Sequence, residues 1–250
     1  MNPFLNRRLF LSLSVAAVLP ATAQAQATNA TDAAFDQIAQ AWLDESIRLS
    51  PPFATSLGDH RFDDQLGDLG PASWHARSAL ARRALEALGD IDRSALSRER
   101  QVDAALLDNS LRGDIWTHDQ LQAWAWDPLV HNEYAGSALF SLIAREFAPL
   151  PERLRAATAR MQGFPALLAS TRDALDPERV PEIHAQTVSG QNRGLASLVD
   201  MVLAEAPALS GAERTRLIEA GRIAKLGIAA HQQWIDDVLV PGAQGDYRLG

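Results

Sequence analysis

The chain contains no cysteine and a single lysine, Lys225. Without cysteine it can form no disulfide bond and carry no lipid attached through a thiol, so an oxidising compartment presents no hazard to it. Its 23 basic residues are outnumbered by 31 acidic ones, which gives a formal net charge of -8. Because nucleic-acid binding requires clustered positive charge, this balance argues against a nucleic-acid partner.

The sequence also lacks the short motifs that identify common hydrolases and nucleotide-binding proteins. A zinc hydrolase of the H-E-x-x-H type places two histidines on one helix face with a glutamate as the base, and no such pattern occurs here. The G-x-S-x-G turn of serine hydrolases and the phosphate-binding P-loop are absent as well. The histidines are scattered singly along the chain: His60, His75, His118, His131, His184 and His231.

Two of these histidines, His118 and His231, fall on the apolar edges of helical segments. A lone histidine in such a position is more often a hydrogen-bonded core residue than a metal ligand, and this is the interpretation that we prefer. The sequence therefore predicts no metal site and no catalytic residue in this chain.

Long apolar runs are confined to the N-terminus. Arg7 and Arg8 precede an apolar run that is too short to span a bilayer, and small residues suited to cleavage follow it. Residues 1–25 are thus predicted to be an export signal, of the general or the twin-arginine type, which directs the protein to the periplasm or the medium. No second apolar run follows, so we expect no stable membrane anchor after signal removal.

Helical periodicity dominates residues 26–250. Apolar residues recur there at spacings of three and four in seven or eight segments, and no segment alternates as a strand does. Short links between such segments favour antiparallel neighbours. The sequence predicts a single all-α region of seven to eight antiparallel helices joined by short links, with no significant sheet.

Three local features of the later helices carry their own expectations. Pro165 interrupts an apolar seam and is expected to kink or split its helix. Gly190 and Gly194 share a helix face, which predicts a close crossing with another helix. Ser210 and Glu213 have the spacing of a capping box at the start of the last helix.

Between the first two strongly helical segments lies a turn-rich insert, residues 50–69, that lacks helical periodicity. It is longer than the roughly two to eight residues that an ordinary helix connection needs. The order of its acidic residues does not fit the alternating ligands of a calcium loop, so an acidic loop that is solvated or paired with arginine is the preferred interpretation. Its charged residues are Asp59, His60, Arg61, Asp63, Asp64 and Asp68.

A second stretch without helical regularity runs from Trp116 to Tyr134. Two interpretations of its aromatic residues Trp124 and Trp126 remain open. They form either a stacking surface for a substrate or a hydrophobic plug beneath a long loop, and we prefer the plug.

Several segments, taken in order, resemble the N-terminal half of one bacterial family, the domain of unknown function 885. They are P-P-F-A-T-S-L-G-D-H-R-F-D-D-Q-L-G-D-L at residues 51–69, D-P-L-V at 127–130, L-I-A-R-E-F-A-P-L-P-E-R-L at 142–154, F-P-A-L-L at 164–168 and G-D-Y-R-L-G at 245–250. The L-G-D-H-R-F-D-D block is the most telling of them.

Members of this family resemble exported, helical, zinc-dependent peptidases whose H-E-x-x-P-G-H type segment lies in the C-terminal half. The resemblance implies that residues 26–250 are the N-terminal half of a larger peptidase-like domain and form one wall of a cleft for a peptide substrate. Zinc is then expected in the full-length relative, bound outside this chain. The open run at residues 243–250 predicts that the coding sequence continues.

Within this interpretation the insert provides the candidate cleft residues. Asp59, His60, Arg61 and Asp63 are expected to form either an ordering network or a loop that anchors the substrate. Whether this chain alone is an enzyme is left open by its sequence.

An alternative belongs to a different class of protein. The absence of catalytic motifs and the long apolar seams also fit a non-catalytic helical binding module of the cell envelope, which folds cooperatively by itself. A degenerate relative, in which the helical half has outlived catalysis, is a third possibility.

Overall fold

A computed structural model describes residues 29–248, so the predicted export signal at residues 1–25 lies outside the described part of the chain. Eight of its α-helices have seven residues or more, and residues 29–248 contain no strand, which confirms the predicted all-α class and helix number. None of the described helices is both long and apolar enough to cross a membrane. The helices are α1 (Ala30–Leu49), α2 (Pro51–Leu57), α3 (Pro71–Gly89), α4 (Arg98–Trp116), α5 (Ala123–Trp126), α6 (Pro128–Ile143), α7 (Leu150–Ala174), α8 (Glu182–Ala204), α9 (Gly211–Trp234) and α10 (Val240–Gly242).

The helices bury their apolar faces in two main groups. Helices α1, α3 and α4 share a core that includes Phe35, Leu88 and Leu111. Helices α6 to α9 enclose a larger one that includes Leu139 and Phe164, and α7 and α9 make the most extensive contact of all. Consecutive long helices within each group pack against each other, as α3 does against α4 and α8 against α9. The boundary between the groups is where a cleft opens.

The insert after α1 is partly helical, so the prediction of a wholly turn-rich segment is wrong. Pro51 and Pro52 do not only end α1; they also occupy the first positions of α2, where the missing amide hydrogen and fixed φ of proline suit a helix start. Gly58 ends α2 with a left-handed φ of 90°, and the Asp59 amide donates to the Ala54 carbonyl at 2.9 Å. The remaining loop, residues 58–70, contains the charged residues of the insert.

The stretch from Trp116 to Tyr134 is also more helical than predicted. A five-residue π-helical segment, Thr117–Leu121, continues α4 directly, and α5 and the start of α6 follow it. Trp124 is buried, and its indole nitrogen donates to the His118 carbonyl at 2.9 Å. It packs within helical structure, so the long loop of the plug interpretation is absent here.

Pro165 does not split its helix in two, because α7 runs unbroken from Leu150 to Ala174. The neighbouring helix α9 presents Gly227 at this point, where an added Cβ would lie 3.2 Å from the Pro165 Cα. The expected close crossing at Gly190 and Gly194 is wrong, since a Cβ at either would meet nothing within 4 Å. Gly221 and Gly227 instead permit the close approach.

The predicted capping box at the start of α9 is likewise wrong. Ser210 occupies the N-cap position but its side chain makes no capping hydrogen bond. Glu213 accepts instead from Arg155 of α7, with Nε and Oε1 2.8 Å apart. The charged guanidinium outcompetes the backbone amide for this carboxylate, so the residue joins two helices rather than closing one end.

Candidate functional site

The four residues predicted as cleft candidates lie on the loop at residues 58–70 and bond mainly to each other and to their neighbours. Arg61 donates through Nε to Asp59 Oδ1 at 3.0 Å and through Nη2 to Asp44 of α1 at 2.8 Å. These hydrogen bonds hold the pKa of both carboxyl groups below the usual range. All three groups are at the surface, so their pairing ties the loop to α1 with little net stabilisation.

His60 and Asp63 face the other side of this loop. The Nδ1 atom of His60 lies 3.0 Å from Asp63 Oδ2, and its ring stacks on Phe147 with centroids 3.8 Å apart. The other carboxylate oxygen of Asp63 accepts from the Thr55 hydroxyl of α2 at 2.7 Å. Asp63 thereby connects the loop to the interior of the molecule.

The interior partner of this loop is Arg160, a fully buried residue of α7 that sequence reasoning missed. Its guanidinium donates to the Gln65 carbonyl at 2.9 Å, the Ala138 carbonyl at 2.7 Å and the Thr55 hydroxyl at 2.7 Å. Burial lowers the pKa of Arg160 to about 10, so the group stays charged at neutral pH. One charged side chain thus holds α2, α6 and the loop together.

A cleft of about 660 Å³ opens between α1, α3, α4 and α6, and residues of α2 also line it. Its wall is largely apolar and includes Trp42, Leu80 and Val130. None of the four predicted residues lines it. Its ionisable side chains come instead from three helices: Arg77 of α3, Asp114 at the end of α4 with His118 just beyond it, and Glu133 and Tyr134 of α6.

Arg77 is the cationic group of this cleft. Its Nη2 donates to the Leu49 carbonyl, its guanidinium lies over the Trp74 ring at 5.0 Å, and its Nε is buried without a hydrogen-bond partner. No carboxylate bonds to it anywhere in residues 29–248; Asp68 acts on it only through space. Burial lowers the pKa of Arg77 because a charged guanidinium is poorly solvated there.

Tyr134 lies beside Arg77 and separates the cleft from the loop. Its hydroxyl donates to the Leu66 carbonyl at 2.6 Å, and burial raises its pKa, so the phenol is neutral. Gly67 passes directly behind it with a φ of 76°, and an added Cβ would lie 2.9 Å from the Tyr134 hydroxyl. The loop and the cleft therefore share this contact.

Asp114 and His118, four residues apart, bring α4 and its π-helical continuation to the same cleft. Burial lowers the pKa of His118 to about 4, and the charge of Arg77 contributes to this shift. The Nδ1 atom of His118 is buried without a hydrogen-bond partner. Burial alone raises the pKa of Asp114. The interpretation of His118 as a hydrogen-bonded core residue is wrong, because it borders a cavity and its ring nitrogen is unsatisfied.

The other apolar-edge histidine, His231, matches the core interpretation. It is buried, and its Nδ1 lies 3.5 Å from Arg172 Nη1. Burial, and next the charge of Arg172, lower the pKa of His231 to about 3, so its ring is neutral.

A zinc ion does not fit the residues that the structure describes. Between Asn29 and Arg248 no three histidine, aspartate or glutamate side chains come close enough together to hold a metal ion. Zinc binding needs three or four such ligands at about 2 Å. A catalytic zinc would have to be bound by residues outside this part of the chain.

The cleft residues carried few signals in the sequence. Ser110, Asp114 and His118 follow one another at intervals of four on one helix face, and this polar stripe was the available sign. No such pattern marks Arg77 or Tyr134, because their neighbours in the cleft come from helices that are distant in the sequence.

Residues 29–248 thus form an all-helical scaffold with an open cleft. The model of the family described as bacterial protein of unknown function (DUF885) matches residues 51–250, so the chain belongs to this family. The resemblance noted in the sequence is thereby confirmed at the level of the family. No curated protein matches this sequence.

One similar solved structure extends this comparison. It is a protein from Shewanella oneidensis described as a candidate lipoprotein of unknown function, with a TM-score of 0.78 and 29% sequence identity. The match covers 86% of this chain and 40% of the Shewanella chain. This chain therefore spans well under half of the length of that relative.

Proposed function

We propose that this chain is the N-terminal helical part of an exported, zinc-dependent peptidase-like protein, and that its cleft forms one wall of the binding site for a peptide substrate. The observation that carries the proposal is the cleft itself, a cavity of about 660 Å³ with a largely apolar wall that Arg77, His118 and Tyr134 also line. A mostly apolar cavity with a few convergent polar side chains is suited to a ligand that has both apolar and polar parts.

Two further observations support the placement of this cleft in a longer protein. The Shewanella relative is more than twice as long as the matched region, which leaves room for a second wall and for the metal ligands. The most telling family segment, residues 51–69, folds against the cleft, with Gly67 behind Tyr134 and Pro52 on the cleft wall. The export pattern at residues 1–25 supports a periplasmic or secreted location.

The test is cleavage by the longer protein. We expect the product of the complete reading frame, purified with zinc, to cleave members of a mixed peptide library, as measured by mass spectrometry, and a chelator to stop it. Failure to cleave any peptide in the presence of zinc contradicts the enzyme proposal. Peptide binding without cleavage would favour the alternative, a non-catalytic binding module of the cell envelope.

A matched pair of variants locates the substrate. Ser110 is exposed on α4 and lines the cleft, whereas Ser197 is exposed on α8 and does not line it. Ser110→Trp is expected to raise KM on the order of tenfold by filling the cleft, and Ser197→Trp to leave it unchanged. Equal kinetics for the two variants would place the substrate elsewhere.

A further inference from the structure

Arg77 is a cation in a mostly apolar cleft, and within residues 29–248 no carboxylate forms an ion pair with it. A buried charge is strongly disfavoured unless it is paired, and a guanidinium pairs best with a planar anion that accepts two parallel hydrogen bonds. In residues 29–248 its side chain hydrogen-bonds to the neutral Leu49 carbonyl and to Tyr134, and no carboxylate forms an ion pair with it. Because Arg77 lines the cleft, an anion that enters the cleft can supply this pairing.

The acidic residues of the cleft, Asp114 and Glu133, are not among the groups that act on Arg77 and do not supply this anion. The pKa of Asp114 is raised by burial alone, so the charge of Arg77 does not act on it appreciably. The carboxylate that does act on Arg77, Asp68, does so without a hydrogen bond. Two cleft residues that interact with Arg77, Tyr134 and His118, are neutral at pH 7. Arg77 thus forms no ion pair within residues 29–248, and Asp68 acts on it only from a distance.

The rest of the cleft limits which anion fits. Trp42, Leu80 and Val130 provide apolar walls, which suit a ligand whose charged end is attached to an apolar body. The charge of Arg77 acts on His118 but not on Asp114, and a half-buried carboxyl on the cleft wall disfavours a second negative charge. A single carboxylate on an otherwise uncharged or cationic molecule meets both conditions.

From these contacts we infer that Arg77, with Tyr134 beside it, is a binding site for the free C-terminal carboxylate of a peptide. This inference rests on the proposed function and makes it more specific, because the protein would then act at or near the C-terminal end of its substrate. Arg77 is a substrate-binding residue in this assignment, and no proton transfer is attributed to it.

The test compares two forms of one ligand on the unmodified longer protein. A tripeptide with an apolar last residue is titrated as the free acid and as the C-terminal amide, in zinc-free buffer at pH 7, by isothermal calorimetry. The free acid is expected to bind on the order of tenfold to a hundredfold more tightly, since an ion pair in a low-dielectric site is lost in the amide. Equal affinities for acid and amide would overturn the inference.

Variants then assign the preference to one side chain. Arg77→Met is expected to abolish the acid-over-amide preference, and Arg77→Lys to retain part of it, because lysine keeps the charge but not the bidentate geometry. Arg83→Met is the matched control, since Arg83 lies on the same helix, is exposed and pairs with Glu45. If the Arg77→Met variant keeps the full preference while it is folded by circular dichroism, the assignment is wrong.

Inorganic phosphate distinguishes a peptide site from a general anion site. We expect phosphate at millimolar concentration to compete weakly with the free-acid peptide, because it cannot use the apolar walls. Phosphate that binds as tightly as the peptide would overturn the assignment. A carboxylate preference without any cleavage would sustain this inference and refute the peptidase proposal, whereas cleavage that is indifferent to the C-terminal carboxylate would do the reverse.

Discussion

Arg160 and Arg77 are two arginines of this molecule whose surroundings are opposite. Arg160 is fully buried and donates to carbonyl groups and a hydroxyl on three separate elements. Arg77 borders an open cleft, donates to one carbonyl and keeps an unsatisfied Nε. A buried polar network that is complete makes a structure rigid, whereas an incomplete one is a cost that folding alone does not explain. This difference is the reason why we assign a structural role to Arg160 and propose a binding role for Arg77.

The largest effect is expected where the complete network is broken. Arg160→Met should lower the free energy of unfolding by about 3–5 kcal/mol, because several buried acceptors lose their donor at once. Urea unfolding followed by circular dichroism measures this loss. Arg61→Met, which removes an exposed pair with Asp59 and Asp44, should cost less than about 1 kcal/mol. Similar losses for the two variants would refute the central role of Arg160.

The contact between Gly67 of the loop and Tyr134 of the cleft is expected to be the next most sensitive place. Gly67→Ala should destabilise the protein by about 3 kcal/mol, because a Cβ there must accept a left-handed φ and also displace the Tyr134 hydroxyl and the Leu49 carbonyl. Gly58→Ala has a similar φ but open space around it, and should cost only about 1 kcal/mol. Thermal unfolding of both variants measures the difference in stability loss. Equal losses would mean that the contact between Gly67 and Tyr134 does not contribute to stability.

Acid is expected to affect the neutral histidines before it affects the loop carboxylates. The folded state holds the pKa of His118 at about 4 and that of His231 at about 3, below the ordinary value of 6.5. The unfolded chain therefore binds more protons as the pH falls from 6.5 towards 4, and stability decreases over that window by roughly 2–3 kcal/mol for each histidine. Chemical unfolding at several pH values measures the slope.

A histidine variant assigns that slope to the cleft. His118→Gln should remove a large part of the decrease, since glutamine does not titrate, while His75→Gln, at an exposed position of α3, should leave it in place. A flat stability profile between pH 6.5 and 4 in the unmodified protein would contradict the burial of these histidines as neutral groups.

The smallest effect on stability is expected at Arg77. Arg77→Met should change the free energy of unfolding by less than about 1 kcal/mol, because the loss of one hydrogen bond is offset by removal of a poorly solvated charge. Urea unfolding under the conditions used for Arg160→Met gives a direct comparison. A loss as large as that of Arg160→Met would mean that Arg77 is a structural residue.

The sequence was sufficient for the long helices and insufficient for what lies between them. Apolar periodicity extends over many turns in α7 or α9, but α2 has only seven residues and begins with two prolines, which also resemble a helix end. Pro165 was expected to break α7, and the local rule does not include the close contact that Gly227 offers from another helix. Tertiary packing decided both cases.

The roles of the two arginines were harder still to predict. Arg77 and Arg160 each follow an alanine within a helical segment, and nothing adjacent in the sequence distinguishes them. Their roles depend on partners brought from elsewhere, such as Thr55 for Arg160 and the walls of the cleft for Arg77. The charged loop was conspicuous in the sequence because its residues are neighbours along the chain, which is also why they bond mostly to each other.

The hydrogen bond between Arg160 and Thr55 joins residues 105 positions apart, and this separation has a consequence for the order of folding. During synthesis the loop at residues 58–70 is made long before α7 exists, so its central donor arrives late. Contacts with such high sequence separation form slowly, because a large chain loop must be closed first. We expect the family's most recognisable segment to be among the last parts of the chain to acquire its native conformation.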